Sequence, residues 1–412
     1  MKTKPTFFYG YVIVLAAFCS TVVIWGIFYS FGVFFEPVLR EFGWTRAVTS
    51  GAYSLCMALH GLLAIGMGRL TDRFGPRLVI TACGLFFGLG HLLMSQISAA
   101  WQLYLFYGVI VSIGLSASFV PTTSTIARWF VKRRGMMTGI VVGGMGLGTM
   151  FIPPLVSRFI SIYGWRTSYI IVGSVAMVLV ILVAQFLRRD PGQMGLSPYG
   201  ENEVKQERLT FQAMGLSFQE AIQTRQLWLL CAIYFCFWFS LSTIFVHIVI
   251  HATGLGISAA NAAIILAVIG GVKIPGTLII GSSADKIGNK LGLIICLVLI
   301  STALFWLMAA RGTWMLYPFA AILGFAYGGV ATLMSPVVAE LFGLSSHGVI
   351  LGFIFFIDCL GGAIGPVLAG RIFDITGSYQ WAFLICAALS VIALILTSLL
   401  RPTHSKDLTQ NI

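Results

Sequence analysis

The sequence predicts an all-α membrane protein: twelve transmembrane helices forming two six-helix bundles related by a parallel repeat. Three observations predict it, namely the composition, the spacing of apolar runs, and an internal register that holds across several of those runs. Of 412 residues, 58% are hydrophobic and only 9% are charged, against about a quarter charged in soluble domains. A net charge of +12 would point to nucleic acid in a soluble protein. Here the basic residues cluster between apolar runs, so the expected partner is the lipid bilayer and not nucleic acid.

A helical crossing needs about 20 mostly apolar residues. After Met1-Lys-Thr-Lys-Pro, the run 11–35 is long and has no small-residue cleavage site, so it reads as a first span and not a removed leader. Runs 47–68 and 78–97 flank the polar GRLTDRFGPR, and runs 101–126 and 136–158 flank the basic RWFVKRRG. Run 165–187 closes the first half. The longest polar interruption follows, with RRDPGQMGLSPYGENEVKQERL at its start. It reads as a cytoplasmic linker, 188–225, between an N-terminal bundle (1–187) and a C-terminal bundle (226–412). Its last residues, SFQEAIQTRQ, look like a short amphipathic lead-in to the second half. Runs 227–250, 258–281, 291–310, 314–339, 348–370 and 379–400 complete the set.

Lys and Arg fix the expected orientation. Eighteen of the 25 fall on the side of the termini, six on the opposite side, and Lys273 lies inside a span. Both ends are therefore expected in the cytoplasm, with the chain in the cell inner (plasma) membrane. The eight cysteines all fall inside apolar runs with no metal-site spacing; they read as small buried hydrophobes. No metal or cofactor is expected.

An offset of 213 relates the halves. It maps Asp72 to Asp285, Gly68 to Gly281, Gly75 to Gly288, Pro153 to Pro366, Arg158 to Arg371 and Gly164 to Gly377. Keeping Asp, Pro and Arg in register without a gap marks one six-span unit used twice in parallel orientation. That is the layout of a rocking secondary transporter with its substrate between the halves near the midplane. The extramembrane loops are too short to hold an enzyme domain, and the polar residues of the spans form no catalytic constellation, so no enzyme is expected.

Two stretches then carry a resemblance. GRLTDRFGPR (Gly68, Asp72, Arg73, Gly75) and its degenerate copy GSSADKIGNK (Asp285) resemble the loop signature of the major facilitator superfamily. Glycines permit the tight turn, while the acid sits at a helix end where it can cap and pair. ARWFVKRRGMMTGIVVGGMGLGTMFIPPL is similar to the opening of span five in the monocarboxylate-transporter-like family, and YSFGVFFEPV, DPGQMGLSPYG and EAIQTRQLWLL fit its bacterial members. The glycines of GGMGLG are expected to pack helices closely and not to hold a nucleotide, since no strand precedes them. The resemblance implies the major facilitator fold, a monomer, and symport of a small monocarboxylate such as lactate or pyruvate with a proton through alternating access.

The chain departs from the family pattern. Where the animal branch has an Asp and then an Arg on span eight, this chain has Lys273 and Thr277; Tyr29 stands at the span-one lysine position. Bacterial relatives often have an acid where this chain has Gly254.

Ionisable groups inside spans are site hypotheses by default. Lys273 is too far from the interface to snorkel, so it is expected to face the cavity, or else to be satisfied by carbonyls freed around Pro275. Asp358, at similar depth, is expected to pair with Lys273 and to carry the proton. His247 and His251 share one face of span seven and are further proton-coupling candidates, with His247 also a substrate candidate. His60 maps onto Lys273 by the offset, and His91 reads as structural. Tyr29, Ser116, Phe119, Thr122, Tyr327 and Phe356 are expected to line the substrate cavity beside an apolar wall. The competing readings are an organic anion exchanger of oxalate–formate type, a proton-coupled porter of an uncharged or drug-like compound, and a transport-dead membrane sensor.

Overall fold

Small polar caps and glycines divide the chain into long helices. The computed structural model describes residues 8–130, 133–200, 216–343 and 346–401, without the side chains of Ile65, Asp72, Val120, Arg134 and Asp285. The helices of the first half are α1 (Gly10–Phe42), α2 (Arg46–Phe74), α3 (Pro76–Met94) and α4 (Ala100–Trp129), followed by α5 (134–163) and α6 (165–184). Those of the second half are α7 (Arg225–Gly254), α8 (Ala259–Ile287), α9 (Asn289–Ala309), α10 (Thr313–Phe342), α11 (His347–Thr376) and α12 (Gln380–Ser398).

Eleven stretches among the described residues are long and apolar enough to cross a membrane. One of them, Met136–Ala184, has 49 residues, or about 74 Å of helix, more than twice the ~30 Å hydrocarbon core. Gly164 breaks it with φ 76°, so it serves as two crossings, α5 and α6. Large apolar side chains such as Leu78, Leu182, Leu278 and Ile395 remain exposed on the outside of the bundle, as a lipid-facing belt requires and a soluble surface rarely shows.

The repeat is visible in the backbone. Gly75 ends α2 at φ 82°, ψ 158°, and Gly288 ends α8 at φ 88°, ψ 148°. This region is open to glycine alone without strain, so the duplicated loop motif is the same turn built twice. The side chains of Asp72 and Asp285 lie outside the described residues.

Within the first half α1 packs on α5, α2 on α4, and α3 on α6; within the second, α7 packs on α11 and α12, and α9 on α10 and α12, while α8 packs on α10. The halves meet along α2–α11, α5–α8 and α1–α7. GGMGLG serves these contacts. A Cβ on Gly148 would collide with the Val22 carbonyl of α1, and one on Gly146 would sit 2.8 Å from the Gly270 carbonyl of α8. Several of the crossing helices are irregular. The ladder of α1 is interrupted at Ser30, whose hydroxyl donates to the Gly26 carbonyl at 2.8 Å. That of α4 widens to a π-helix over Tyr104–Val111 and breaks at residues 117–119 before resuming at Val120. Pro275 sits inside α8, where it removes one backbone donor.

After α6 the chain folds back onto the first half. The Trp129 indole N–H donates to the Arg188 carbonyl at 3.0 Å, and the Tyr199 N–H donates to the Trp129 carbonyl at 2.9 Å. Residues 201–215 of the expected linker lie outside the described residues. The lead-in before α7 is a one-turn helix, Phe218–Ile222, with a capping box. The Ser217 N–H donates to Glu220 at 2.7 Å, and with the Ser217 hydroxyl it holds that carboxyl below the usual carboxylate range. The eight cysteines are all free, seven buried and Cys19 half-buried.

Candidate functional site

Lys273 is the middle residue of the 29-residue α8. It therefore lies about 21 Å of helix from either end, far beyond the reach of its own stem. Its side chain is 1% exposed. The ammonium lies 4.1 Å from the centre of the Tyr327 ring of α10 and 3.7 Å from Met145 Sδ of α5, across the boundary between the halves. A ring face and a thioether are weak partners for a full charge.

The expected ion pair with Asp358 is not formed: among the described residues, no acidic group lies within salt-bridge distance of Lys273. The reason is the helix arrangement. α8 packs on α5 and α10, whereas Asp358 sits on α11, which packs on α7 and α2. The alternative reading, carbonyls freed around Pro275, is not what the structure shows either, since the ammonium hydrogen-bonds no carbonyl among the described residues. Thr277, one turn on, donates to the Gly328 carbonyl of α10 at 3.3 Å and so belongs to helix packing.

Tyr327 joins Lys273 to the first half. Its hydroxyl is 3.1 Å from that of Tyr29, whose ring stacks on Phe245 at 4.2 Å. Tyr29 is the last residue of α1 before the interruption at Ser30. Three residues expected from sequence, Lys273, Tyr327 and Tyr29, thus form one contiguous cluster between the halves. Asp358 is within electrostatic range of Tyr29, Tyr234 and Tyr327. It is 6% exposed, and its Oδ1 has no hydrogen-bond partner among the described residues.

The other candidates lie around this core or away from it. Phe119, at the break in α4, stacks on Phe355 of α11 at 5.3 Å. Phe356 is half-buried beside Gly61 of α2. The Thr122 hydroxyl turns back to the Ser118 and Phe119 carbonyls, both at 2.8 Å, and the Ser116 hydroxyl to the Ile113 carbonyl at 2.6 Å. His91 Nδ1 contacts the Phe87 carbonyl at 2.8 Å within α3.

His247 is not brought to Lys273. It belongs to a network at the end of the bundle opposite the termini. Nε2 donates to the Pro366 carbonyl at 2.8 Å, and a carbonyl only accepts, so Nδ1 receives the Tyr379 hydroxyl at 2.9 Å. Tyr379 in turn accepts from the Arg46 guanidinium at 2.6 Å. The Asp374 carboxylate accepts the Arg46 and Ala47 N–H groups, both at 2.9 Å, and thereby caps α2 from α11. The Arg46 guanidinium also lies 3.6 Å over the Phe373 ring. This network ties the halves at that end. His251 lies beside it, 5.0 Å from the Phe383 ring, in a recess of about 220 Å³ lined also by Arg46 and Arg311. Neither histidine reaches the Lys273 cluster, because the face they share turns to α11 and α12.

Several buried polar groups at the centre were not singled out as ligands from sequence. Trp25 Nε1, the Tyr53 and Tyr234 hydroxyls, Trp238 Nε1 and both ring nitrogens of His60 lack hydrogen-bond partners among the described residues. Buried polar atoms are nearly always paired in folded proteins, so these groups join Lys273 as candidate ligands. Among these, His60 was detectable in advance as the repeat position of Lys273.

Comparison with known proteins accords with this geometry. The family model described as Major Facilitator Superfamily matches residues 14–282 and 230–411. The chain is 27% identical to "Monocarboxylate transporter 13" of Rattus norvegicus over 382 residues, covering 92% of this chain and 86% of that protein. It is 25% identical to "Monocarboxylate transporter 12" of Mus musculus, with 100% and 89% covered, and 25% identical to the "Oxalate:formate antiporter" of Oxalobacter formigenes, with 95% and 91% covered. Among solved structures, a bacterial homologue of the human lysosomal transporter Spinster superposes with a TM-score of 0.74 at 18% identity, covering 98% of this chain and 99% of that one.

Proposed function

The chain belongs to the major facilitator superfamily, a family of transporters and not enzymes, and from that premise we propose that it carries a small monocarboxylate, such as lactate or pyruvate, by symport with a proton. The observation that carries the reading is Lys273: a cation at the midpoint of a membrane helix, between the halves, with no anion beside it among the described residues. An uncompensated charge in that position is costly, and a substrate carboxylate supplies what is missing. Tyr29 and Tyr327 offer hydroxyls to its second oxygen, and the Phe119–Phe355 pair offers an apolar wall.

Among the described residues no other Lys or Arg side chain is buried. A dianion would call for a second cation, which favours a monocarboxylate over an oxalate-type exchange. Asp358 is the proton carrier in this reading. The bundles 1–187 and 226–412 rock about the site as a monomer in the cell inner membrane, with both termini cytoplasmic and the Arg46–Asp374–Tyr379 network closing the outer side.

The test uses purified protein in proteoliposomes with labelled L-lactate and pyruvate. Wild type is expected to exchange label in counterflow and to accumulate it when the outside is acidic, and Lys273→Ala to do neither while retaining its size-exclusion profile. Binding of label without exchange would establish the sensor reading instead. Counterflow unaffected in Lys273→Ala would remove Lys273 from the site.

A further inference from the structure

We propose that His60 and Asp358 form a single proton-holding pair across the α2–α11 interface, the repeat counterpart of the Lys273–Met145 contact across α5–α8. The offset of 213 maps His60 to Lys273 and Met145 to Asp358. It therefore exchanges the two interfaces, α2 taking the place of α8 and α11 that of α5.

The structure keeps this correspondence at the level that matters. His60 is the middle residue of the 29-residue α2, as Lys273 is of α8. In α5–α8, a Cβ at Gly146 would lie 3.1 Å from the Ile274 side chain. The offset carries Gly146 to Cys359 and Ile274 to Gly61. In α2–α11, a Cβ at Gly61 would lie 2.7 Å from Cys359 Cβ. The same close approach is thus built twice, one residue beyond the Lys273–Met145 and His60–Asp358 positions. Phe355, which shares a face of α11 with Asp358 at i and i+3, meets the His60 ring edge-on at 5.7 Å.

Both members lack partners. His60 is fully buried with neither ring nitrogen engaged, and Asp358 Oδ1 is buried and likewise unengaged among the described residues. They are not hydrogen-bonded to one another here, so the shared proton passes through a water or by rotation of one side chain. The groups around them are Trp25 and Tyr29 on α1, Tyr53 and Cys56 on α2, and Phe119 on α4. From the second half come Tyr234 on α7, Tyr327 on α10 and Cys359 on α11. Hydroxyls and thiols are uncharged at neutral pH by their ordinary values. Lys273, joined through Tyr327 and Tyr29, is the remaining buried charge among the described residues.

Charge balance then explains why a proton would move with the anion. In the empty site, Lys273 as ammonium and the pair as Asp358 carboxylate with neutral His60 sum to zero. In the loaded site, the substrate carboxylate neutralises Lys273 and the pair holds one proton, as carboxylic acid with imidazole or carboxylate with imidazolium. The sum is again zero, so the net charge held between the halves is the same in both states that cross the bilayer. This use of the proton rests on the symport reading; the pair itself does not.

The experiment is therefore read first without substrate. Infrared difference spectra of the purified protein are recorded across a pH titration. The pair predicts a protonated carboxyl band that disappears in Asp358→Asn, and whose midpoint moves by about one pH unit or more in His60→Gln. A band with the same midpoint in His60→Gln overturns the pair, as does the absence of any band lost in Asp358→Asn. Neither result depends on what the protein carries. With labelled L-lactate in proteoliposomes, the ratio of acid-driven accumulation to counterflow is expected to fall at least about tenfold in both variants. A normal infrared titration in a protein that exchanges no carboxylate would discard the symport reading and keep the pair.

Discussion

The α5–α8 and α2–α11 interfaces are copies of one another, yet they carry opposite chemistry at the same depth. Across the first, a lysine meets a thioether and a ring face; the helices of the second carry an imidazole and a carboxyl, both with unpartnered buried atoms among the described residues. The backbone approach was retained in both, down to the small residue one position beyond each pair. The difference teaches that one repeated backbone approach can carry two chemistries, which the proposals above read as an anion receptor in one socket and a proton receptor in the other. Keeping them apart has a physical use. A carboxylate directly against Lys273 would satisfy it permanently, and the substrate would then have to displace a partner already in place.

Removing the receptor in the first socket gives the largest expected effect. Lys273→Ala should lower lactate exchange by about 10²–10³-fold, the usual cost of losing a buried charge that pairs with its ligand. Lys273→Arg should recover part of it. A loss below about threefold in Lys273→Ala, measured as initial counterflow rate, would mean that the two sockets are not functionally different.

Making the first socket resemble the second comes next. Met145→Asp places an acid at the repeat position of Asp358, within reach of Lys273. The new ion pair should raise the melting temperature in detergent and reduce exchange by roughly tenfold or more, because the substrate then competes with a resident carboxylate. Met145→Leu conserves volume and should cost under about 1.5 kcal/mol of stability with little change in exchange. If Met145→Asp transports as well as wild type, an unpaired lysine is not what the site requires.

Much of this was legible in the sequence, and the part that was not has a definite reason. The apolar runs located the helices because a bilayer accepts few other patterns, and the glycine pairs located the turns because φ near 85° excludes side chains. Depth was legible too, since it follows from counting along a helix. Adjacency was not. Lys273 and Asp358 were matched by depth, which is one coordinate, while contact between helices needs the other two. The offset held the missing information, since 358 − 213 gives 145; applying it to interfaces and not only to residues would have named Met145 as the partner. His247 misled for a different reason. Most of α7 is buried, so a shared face said nothing about which neighbour that face meets.

The turns offer a comparison in which the halves should behave alike. Gly75 and Gly288 have nearly the same dihedrals, and a Cβ on either meets no atom closer than 4.0 Å. Alanine at either position therefore pays backbone strain alone, about 1–3 kcal/mol. Thermal melts of Gly75→Ala and Gly288→Ala should show drops of similar size. A drop confined to one of them would locate a function in that turn beyond its shape.

The smallest expected effect separates ring from hydroxyl where the sockets communicate. Tyr29 and Tyr327 share one hydrogen bond at 3.1 Å, and only Tyr327 also lies under the Lys273 ammonium. Phenylalanine at either position removes the bond and keeps the ring. Both variants should then lose about 0.5–1.5 kcal/mol, a two- to tenfold change in the affinity for labelled lactate measured by counterflow saturation. Tyr327→Leu removes the ring face as well and should lose more, since a desolvated cation over an aromatic ring contributes about 2 kcal/mol. Tyr29→Leu has no cation to expose, and its extra cost is packing against Phe245, which appears in the melting temperature and not in affinity. Equal affinity losses for the two leucine variants would show that Lys273 draws nothing from the ring beneath it, leaving the substrate carboxylate as the sole counterweight to its charge.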